Sequence, residues 1–335
     1  MKMKEGFKIA LALSLCVVMS VAFMNCGSSK AATALLFPVG ANPVAMAIDA
    51  SGNVWVANQG DQTITVLNFT GLLLNAFTVG SSPHSLAVDA SGNVWVVYQD
   101  SNIVTVLSPS GISFNSFTVG NSPHDIQIDA SGNVWVTNQG DNTITELGPG
   151  GTLIGTFPVG TSPVASAIDA FGNVWVANQG DNTITELSPS GTLIGTFPVG
   201  SGPQGIRIDP SGNVWVTNSG SDSVPGNSVM KLSPDGTLLG TFTVGSEPRG
   251  MAIDSAGNVW ITNFGSIAAP GNTVTELGPD GTLLNTFKAD NNPSGIVIDS
   301  GGNVWIANFG SNIVTALKGK ATPPEFFPYH GPVWP

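Results

Sequence analysis

The sequence predicts an all-β fold, a seven-bladed β-propeller with four strands in each blade, because one tryptophan-centred segment recurs seven times. In its commonest form the segment reads Asp-Ala-Ser-Gly-Asn-Val-Trp-Val. The first five tryptophans lie 40 residues apart, and the last two intervals are 45 residues. A period of this length with four short strand signals per unit is typical of one propeller blade per repeat. The seven tryptophans are Trp55, Trp95, Trp135, Trp175, Trp215, Trp260 and Trp305.

One repeat, residues 161–200, shows how the four strands are specified. Residues 163–169 are short, small and apolar, which suits an innermost strand. Residues 173–178 contain β-branched and aromatic side chains, and residues 183–187 alternate polar with apolar side chains. Residues 191–197 form the outer strand. Gly, Asn, Asp and Pro fill the connections, where turns need positive φ or a preset backbone.

The two ends of the repeat array predict how the ring closes. The last repeat ends after its third strand, near residues 313–317, and no outer strand follows. Residues 34–40 precede the first repeat and resemble the outer strands of the other blades. We therefore expect the N-terminal strand to complete the seventh blade within a propeller of residues 31–320, which removes an open sheet edge. The two longer repeats carry five-residue insertions around 223–227 and 267–271, between their second and third strands.

Two segments lie outside the predicted propeller. Residues 1–30 have a basic start, an apolar run from Ile9 to Met24, and Cys26 followed by small polar residues. This pattern predicts export from a bacterial cell, to the periplasm, the cell surface or the medium. Two outcomes stay open: lipidation of Cys26, or ordinary signal cleavage after Ala31. Residues 321–335 are rich in Pro and aromatic residues and are expected to lie over the ring or to bind a partner.

Charge and cysteine content exclude several classes of function. The 335 residues contain 10 Lys and Arg against 22 Asp and Glu, a formal net charge of −12. Such an acidic chain repels nucleic acid and anionic membrane, so we expect a monomer that meets a membrane only through a lipid anchor. Both cysteines, Cys16 and Cys26, lie in the leader. The predicted propeller therefore has no disulfide, thiol nucleophile or thiolate metal site.

The repeated framework residues are expected to be structural. The tryptophans sit in the middle of a strand in every blade, so we expect them in the core rather than on a stacking platform for a ligand. The Asp-x-Ser-Gly-Asn turns, of which Asp49 to Asn53 is one, offer a single carboxylate each. Calcium takes six to eight oxygen ligands. These aspartates are therefore predicted to cap turns.

One position varies while the frame around it repeats. The residue after the proline that opens each innermost strand is Val44, His84, His124, Val164, Gln204, Arg249 or Ser294. This slot is placed near the central channel and samples polar and basic types, as a ligand-facing rim does. His84 and His124 occupy it in neighbouring blades. A bland interpretation, two exposed imidazoles without a role, stays open beside the functional one.

A second ring of residues lies three positions after each tryptophan. It is Asn in six blades, where the side chain is expected to hydrogen-bond its own turn, and Tyr98 in the second. Arg207 and Arg249, the only arginines, fall in the fifth and sixth blades. Together these departures predict a ligand-binding rim for an anionic or carbonyl-bearing ligand, and no metal ligand set. The predicted rim consists of His84, Tyr98, Asp100, His124, Gln204, Arg207 and Arg249.

The repeat resembles known propeller families. The pattern Val39-Gly40, Pro43, Ile48-Asp49, Gly52 to Asn58 and Thr63 to Thr65 resembles NHL and YVTN repeats, and is similar to the streptogramin B (virginiamycin B) lyases over residues 33–318. The lyase resemblance implies that His84 and His124 carry substrate binding and proton transfer, helped by a Glu that binds Mg²⁺. Where that Glu is expected, this chain has Asn138 and Gln139.

Two functions from different classes follow. The first is a non-enzymatic exported propeller without a cofactor, which binds a small molecule or a protein at its channel mouth. The alternative is a streptogramin B lyase-like or lactonase-type enzyme that uses His84 and His124, with Mg²⁺ as the cofactor. A carboxylate at the Asn138 or Gln139 position would favour the enzyme, and its absence favours the binding protein.

Overall fold

The computed structural model describes residues 34–221 and 224–323, and this part of the chain contains only β-strands and connections. The leader and residues 324–335 of the tail lie outside the described residues. The first strands are β1 Ala34–Pro38, β2 Pro43–Ile48, β3 Val54–Asn58, β4 Thr63–Leu67, β5 Leu73–Thr78, β6 Pro83–Val88, β7 Val94–Tyr98, β8 Ile103–Leu107, β9 Ser113–Thr118, β10 Pro123–Ile128, β11 Val134–Asn138, β12 Thr143–Leu147, β13 Leu153–Pro158 and β14 Pro163–Ile168. The later strands are β15 Val174–Asn178, β16 Thr183–Leu187, β17 Leu193–Pro198, β18 Pro203–Ile208, β19 Val214–Ser221, β20 Val224–Leu232, β21 Leu238–Thr243, β22 Pro248–Ile253, β23 Val259–Gly265, β24 Pro270–Leu277, β25 Leu283–Lys288, β26 Pro293–Ile298, β27 Val304–Asn308 and β28 Ile313–Leu317. Within the described ranges no helix is long and apolar enough to cross a membrane.

The strands form seven antiparallel four-stranded sheets, so the seven-bladed propeller is confirmed. Six blades use four consecutive strands, as in the sheet β2-β3-β4-β5. The seventh has the order β1-β28-β27-β26. In it, β1 pairs with β28 from Ala34 opposite Leu317 to Pro38 opposite Ile313. The predicted closure by the N-terminal strand is thus confirmed.

The core lies between neighbouring blades, where each tryptophan packs on the next sheet. Trp55, for example, lies in one cluster with Leu86, Val94 and Val96 of the following blade. All seven repeat tryptophans are at most 2 % exposed. Each also lies beside the outer-strand phenylalanine of its own blade, with ring centroids 5.2–6.1 Å apart. These large buried aromatic surfaces supply much of the apolar burial that holds the ring together.

The turn aspartates hold the tryptophans in place. Oδ1 of Asp49 accepts the backbone N–H groups of Ser51 and Asn53, both at 2.9 Å, and Oδ2 accepts Nε1–H of Trp55 at 3.0 Å. The same indole bond recurs in all seven blades. Burial raises the pKa of Asp49, but the hydrogen bonds from Trp55 and Asn53 outweigh it and hold the pKa below its usual value. The aspartates therefore cap turns and bind tryptophan, the structural role that their sequence pattern indicates.

The ring has two distinct ends. We call the end with the connections from fourth to first strand and from second to third strand the upper face, and the opposite end, with the tight turns, the lower face. The two five-residue insertions lie at the upper face, where they lengthen the β19–β20 and β23–β24 hairpins. At the lower face the tail begins with Ala321 buried and the N–H of Thr322 donating to Oδ2 of Asp254, 3.0 Å away.

Candidate functional site

A cavity of about 370 Å³ opens at the upper face, on the axis of the ring. The first residues of the innermost strands form its wall, and the connections between second and third strands form its mouth. Its chemistry comes from His84, His124, Asp125, Arg207 and Arg249, which all line it.

A β-bulge directs the side chain that follows each strand-opening proline into this cavity. In the second blade Pro83 lies opposite Tyr98 and Ser85 lies opposite Val97, so His84 between them has no cross-strand partner. Just before the proline, Ser82 has a positive φ of 51°, and its carbonyl accepts the N–H of Gln99 at 3.1 Å. A bulge bends the strand and re-aims one side chain, so the repeated turn delivers the slot residue to the channel whatever its type.

The two histidines form a close, tilted pair with a fixed tautomer. Their ring centroids are 3.9 Å apart with an interplanar angle of 52°. Nδ1–H of His84 donates to the carbonyl of His124 at 2.9 Å, and Nδ1–H of His124 donates to the carbonyl of Val164 at 2.7 Å. Because a carbonyl only accepts, each imidazole keeps its lone pair on Nε2.

Burial keeps both imidazoles neutral near pH 7. It lowers the pKa of His84, against the opposing hydrogen bond to the His124 carbonyl. It lowers the pKa of His124 well below the usual value, and the neighbouring His84 adds to the effect. The pair therefore offers two neutral acceptors rather than two cations.

Two arginines supply the positive charge of the cavity. The guanidinium of Arg249 lies over the ring of Phe264, with Cζ 3.3 Å from the ring centroid. Nη1 of Arg207 donates to the carbonyl of Ile206 at 2.8 Å, and burial lowers the pKa of Arg207 while Asp125 opposes that shift. A guanidinium nevertheless stays protonated in proteins. Both arginines are therefore cations inside the channel.

Asp125 is the one carboxylate among the described residues that line the cavity. Its Oδ1 accepts the hydroxyl of Ser85 at 3.0 Å, from the preceding blade. Its Oδ2 accepts the N–H and the hydroxyl of Ser166, at 2.8 and 3.1 Å, from the following blade. The carboxylate thus links three blades. Its oxygens are engaged by these donors, and sequence reasoning did not include this residue in the rim.

The mouth is polar on one side and aromatic on the other. The residues four positions after the tryptophans form this mouth. Those that line the cavity are Gln59, Gln99, Phe264 and Phe309. Nε2 of Gln59 lies 3.4 Å from Oε1 of Gln99. The rings of Phe264 and Phe309 lie 6.0 Å apart. The change from Gln in the first four blades to Phe in the last two is the sequence signal that marks this mouth.

The structure brings five of the seven predicted rim residues to the cavity and leaves two outside. His84, His124, Gln204, Arg207 and Arg249 line it. Tyr98 is 3 % exposed and packs in the core between the first two blades. Asp100 lies exposed on the upper surface and accepts the hydroxyl of Ser82.

The ring of asparagines to which Tyr98 corresponds points into the blades. Nδ2 of Asn138 donates to Oγ1 of Thr143 at 3.0 Å and to Oγ1 of Thr145 at 2.9 Å. Tyr98 occupies this position in the second blade, where burial raises the pKa of its hydroxyl although hydrogen bonds with Thr105 and Gly80 lower it. The residues three past each tryptophan are therefore internal, and those four past it face the mouth.

The cavity does not fit Mg²⁺. This ion prefers several oxygen ligands in octahedral geometry. The described part of the lining offers one carboxylate, Asp125, already engaged by Ser85 and Ser166, and two imidazoles beside two guanidinium cations. Within residues 34–221 and 224–323, no group of three or more His, Cys, Asp or Glu is arranged to hold a metal ion.

Solved structures with a similar fold include lyases of streptogramin antibiotics. A streptogramin B lyase structure matches with a TM-score of 0.74 at 19% identity, over 84% of this chain and 96% of that one. Virginiamycin B lyase from Staphylococcus aureus matches with a TM-score of 0.75 at 18% identity, over 85% of this chain and 98% of that one. Hydrazine synthase from Kuenenia stuttgartiensis matches with a TM-score of 0.76 at 18% identity, over 90% of this chain and 100% of that one. The chain shares their propeller fold. No family model and no curated protein sequence matches it.

Proposed function

We propose that this protein is an exported, non-enzymatic propeller that binds a small organic anion in the upper cavity. The observation that carries the proposal is the charge balance of the lining. Among the described residues that line the cavity, Arg207 and Arg249 are cations, Asp125 is the one carboxylate and both histidines are neutral, a balance of one positive charge. The chain as a whole carries −12. A cationic pocket in an acidic protein selects an anion and is costly to keep without one.

The size and polarity of the cavity support a small ligand. Its volume of about 370 Å³ falls in the lower part of the range for small-molecule sites, about 300–1,000 Å³. Nε2 of His84 and Nε2 of His124 accept hydrogen bonds from a ligand hydroxyl or amine. Phe264 and Phe309 offer an aromatic wall beside Arg249. The expected ligand is a carboxylate with a flat apolar part and one donor group.

The test is isothermal calorimetry of the purified protein with 4-hydroxybenzoate and 4-hydroxybenzamide, which differ in the anionic group. We expect binding of the carboxylate and at least about tenfold weaker binding of the amide, since a charged hydrogen bond is lost. Arg207→Met should weaken carboxylate binding similarly. Lys288→Met, an exposed cation at the end of β25, is the matched control. Equal affinities for acid and amide, or an unaffected Arg207→Met variant, would contradict the proposal.

The second candidate is a lactone-opening lyase, and the two histidines favour it. Neutral imidazoles with Nδ1–H anchored on carbonyls have a free Nε2 that is able to take a proton. A lyase of this kind is also expected to need a carboxylate in the site. Among the described lining residues that carboxylate is Asp125, whose oxygens already accept hydrogen bonds from Ser85 and Ser166. Incubation with a streptogramin B lactone and Mg²⁺, followed by mass spectrometry, separates the candidates. Linearisation that His124→Ala abolishes would establish the enzyme, whereas an intact lactone supports the binding protein.

Export remains part of the proposal through the leader sequence. If Cys26 becomes the mature N-terminus, intact mass of the membrane-fraction protein will include the acyl groups. A mature N-terminus at Ala32 without added mass would exclude the lipid anchor and leave export in place.

A further inference from the structure

The lower face carries a ring of exposed apolar side chains that the cavity does not explain. Among the described residues, the large apolar side chains that are strongly exposed lie in the lower-face turns or at the start of the outer strands, apart from Leu36, Ile103, Val224 and Ile267. We call one repeated set of them the lower belt. It consists of Leu74, Phe114, Ile154, Ile194, Leu239 and Leu284, each 46–58 % exposed.

A second β-bulge produces the lower belt. In the third blade Leu147 lies opposite Leu153 and Glu146 lies opposite Gly155, so Ile154 has no cross-strand partner. The same shift of register occurs in the outer strand of all six blades built from consecutive strands. Each bulge turns a Leu, Ile or Phe outward at the lower end of its blade. The exposure is thus a repeated feature of the backbone and not a scatter of single residues.

The described residues of the seventh blade, which begin at Ala34, include no belt residue, and the chain enters the ring at this blade. Ala34 lies opposite Leu317, as Leu153 lies opposite Leu147 in the third blade. The chain therefore enters β1 at the lower face. Cys26 precedes Ala34 by eight residues, which span at most ~28 Å when fully extended. If Cys26 becomes a lipidated N-terminus, its acyl groups are attached to the chain that enters the ring at the end that carries the belt.

The turn backbone and two lysines of the lower face are hydrogen-bonded within the protein, while the carboxylates of Asp235 and Asp280 are exposed there and accept N–H groups of their own turns. In each first-to-second turn the aspartate accepts the indole and the turn amides, as Asp49 does. Nζ of Lys231 pairs with Asp209 at 3.3 Å and donates to the carbonyl of Pro279. Nζ of Lys318 lies 4.2 Å from the Trp305 ring centroid and donates to the carbonyl of Phe69. Contact of the turn backbone with an apolar phase therefore breaks few hydrogen bonds to water, whereas Asp235 and Asp280 have to stay in the hydrated headgroup layer.

We propose that the lower face rests on a lipid bilayer, with the lower belt in contact with the acyl-chain boundary. The distribution of the belt decides the type of partner. A protein partner or a second copy would contact one or two blades, whereas six outward side chains around the ring fit a planar surface that meets all blades together. The chain also enters β1 at the lower face, so a lipid anchor on the N-terminal side would hold this face towards the membrane. The upper cavity then opens away from the membrane, flanked by the exposed carboxylates Asp61, Asp100, Asp141 and Asp181.

The experiment uses residues 32–335, the chain expected after signal cleavage, which lacks both cysteines and the apolar run of the leader, so that contact depends on the apolar side chains of the ring. One environment-sensitive dye is attached through Phe171→Cys, a lower-face turn position that is 82 % exposed. The matched control is Ile267→Cys, at the upper face and 68 % exposed. Vesicles of phosphatidylcholine with a nitroxide on some acyl chains are the probe, because zwitterionic lipid does not repel an acidic protein.

We expect vesicles to blue-shift the dye at the Phe171→Cys position, and the nitroxide lipid to quench it, while the dye at the Ile267→Cys position stays unchanged. Adding Leu239→Ser and Leu284→Ser should lower the partition coefficient about tenfold, since two partly exposed Leu side chains are removed from lipid. Unchanged tryptophan emission will show that this variant is folded. Equal responses at both dye positions, no response at either, or unchanged partitioning of the Ser variant would overturn the proposal. A dye signal that depends on protein concentration without vesicles would assign the belt to self-association instead.

Discussion

The closure of the ring predicts that the same substitution has different consequences in the clasp strand and in an internal outer strand. The ring centroid of Phe37 on β1 lies 5.7 Å from that of Trp305, and the ring centroid of Phe157 on β13 lies 5.8 Å from that of Trp135. Both phenylalanines are half-buried. Truncating a fully buried Phe to Ala costs about 3–5 kcal/mol, so each half-buried ring should account for about 2–3 kcal/mol, including the loss of the aromatic pair.

The two variants differ in how the ring can respond. β1 is joined to the ring covalently at one end only, and five residue pairs hold it on β28. With Phe37→Ala, the opening of β1 alone becomes about 30–150 times more frequent, since 1.4 kcal/mol is a factor of ten. β13 continues into the next blade, so Phe157→Ala lowers global stability without releasing a strand.

Hydrogen exchange measured by mass spectrometry distinguishes these responses. We expect peptides covering β28 to exchange faster in Phe37→Ala at denaturant concentrations where the other blades stay protected. In Phe157→Ala, peptides covering β12 should keep the protection of the whole ring. If both variants show only a global loss of protection, β1 does not open independently, and the reasoning about the clasp is wrong.

Three further predictions follow from the hydrogen bonds and buried charges. Asp89→Ala removes the acceptor of the buried Trp95 indole and should lower the free energy of unfolding by about 2–3 kcal/mol. The exposed Asp100→Ala should change it by less than about 0.5 kcal/mol, and similar urea midpoints for the two variants would refute the capping role. Burial and, next, Asp129 raise the pKa of Glu146, so this carboxylate opposes folding above the unfolded pKa of about 4.3. Glu146→Gln should therefore raise the Tm at pH 7, with the gain vanishing below about pH 4, and a constant gain at all pH values would contradict this cause. Burial lowers the pKa of His124, so stability present above about pH 6.5 is lost as the pH falls, when the unfolded chain binds protons first. His124→Gln should show a shallower loss in urea titrations between about pH 7 and pH 5, and a slope identical to that of the wild type would exclude this histidine as its source.

The sequence predicts the blades well because their determinants are local. Each turn needs its own Gly, Asn and Asp, and each Trp requires a neighbouring blade to cover it, so a repeat period and strand patterns define the ring. The insertions are harder to predict: residues around Pro225 and Pro270 were expected to form longer loops, and they extend existing strands as hairpins. Pairing across these hairpins depends on register, which a short insertion does not specify.

The candidate site was predictable in part for the same reason. The slot of His84 and Arg249 was found because its residues vary within a constant frame. Tyr98 and Gln99 are adjacent in sequence, and strand alternation sends them to opposite sides, but alternation alone does not say which side faces the channel. Asp125 was not placed in the predicted rim, because its role depends on Ser85 and Ser166, two residues that belong to different blades.

The geometry of the clasp also determines how the protein responds to a mechanical force. Ala34 and Leu317 are partners at the same end of an antiparallel pair. Tension on the leader therefore reaches the β1–β28 bonds one after another, as in a zipper, instead of loading all of them in parallel shear. Tension on the tail first meets the bonds of Ala321 and Thr322 with the lower face. A pull from the N-terminal side should thus open the seventh blade at a much lower force than the other six can withstand.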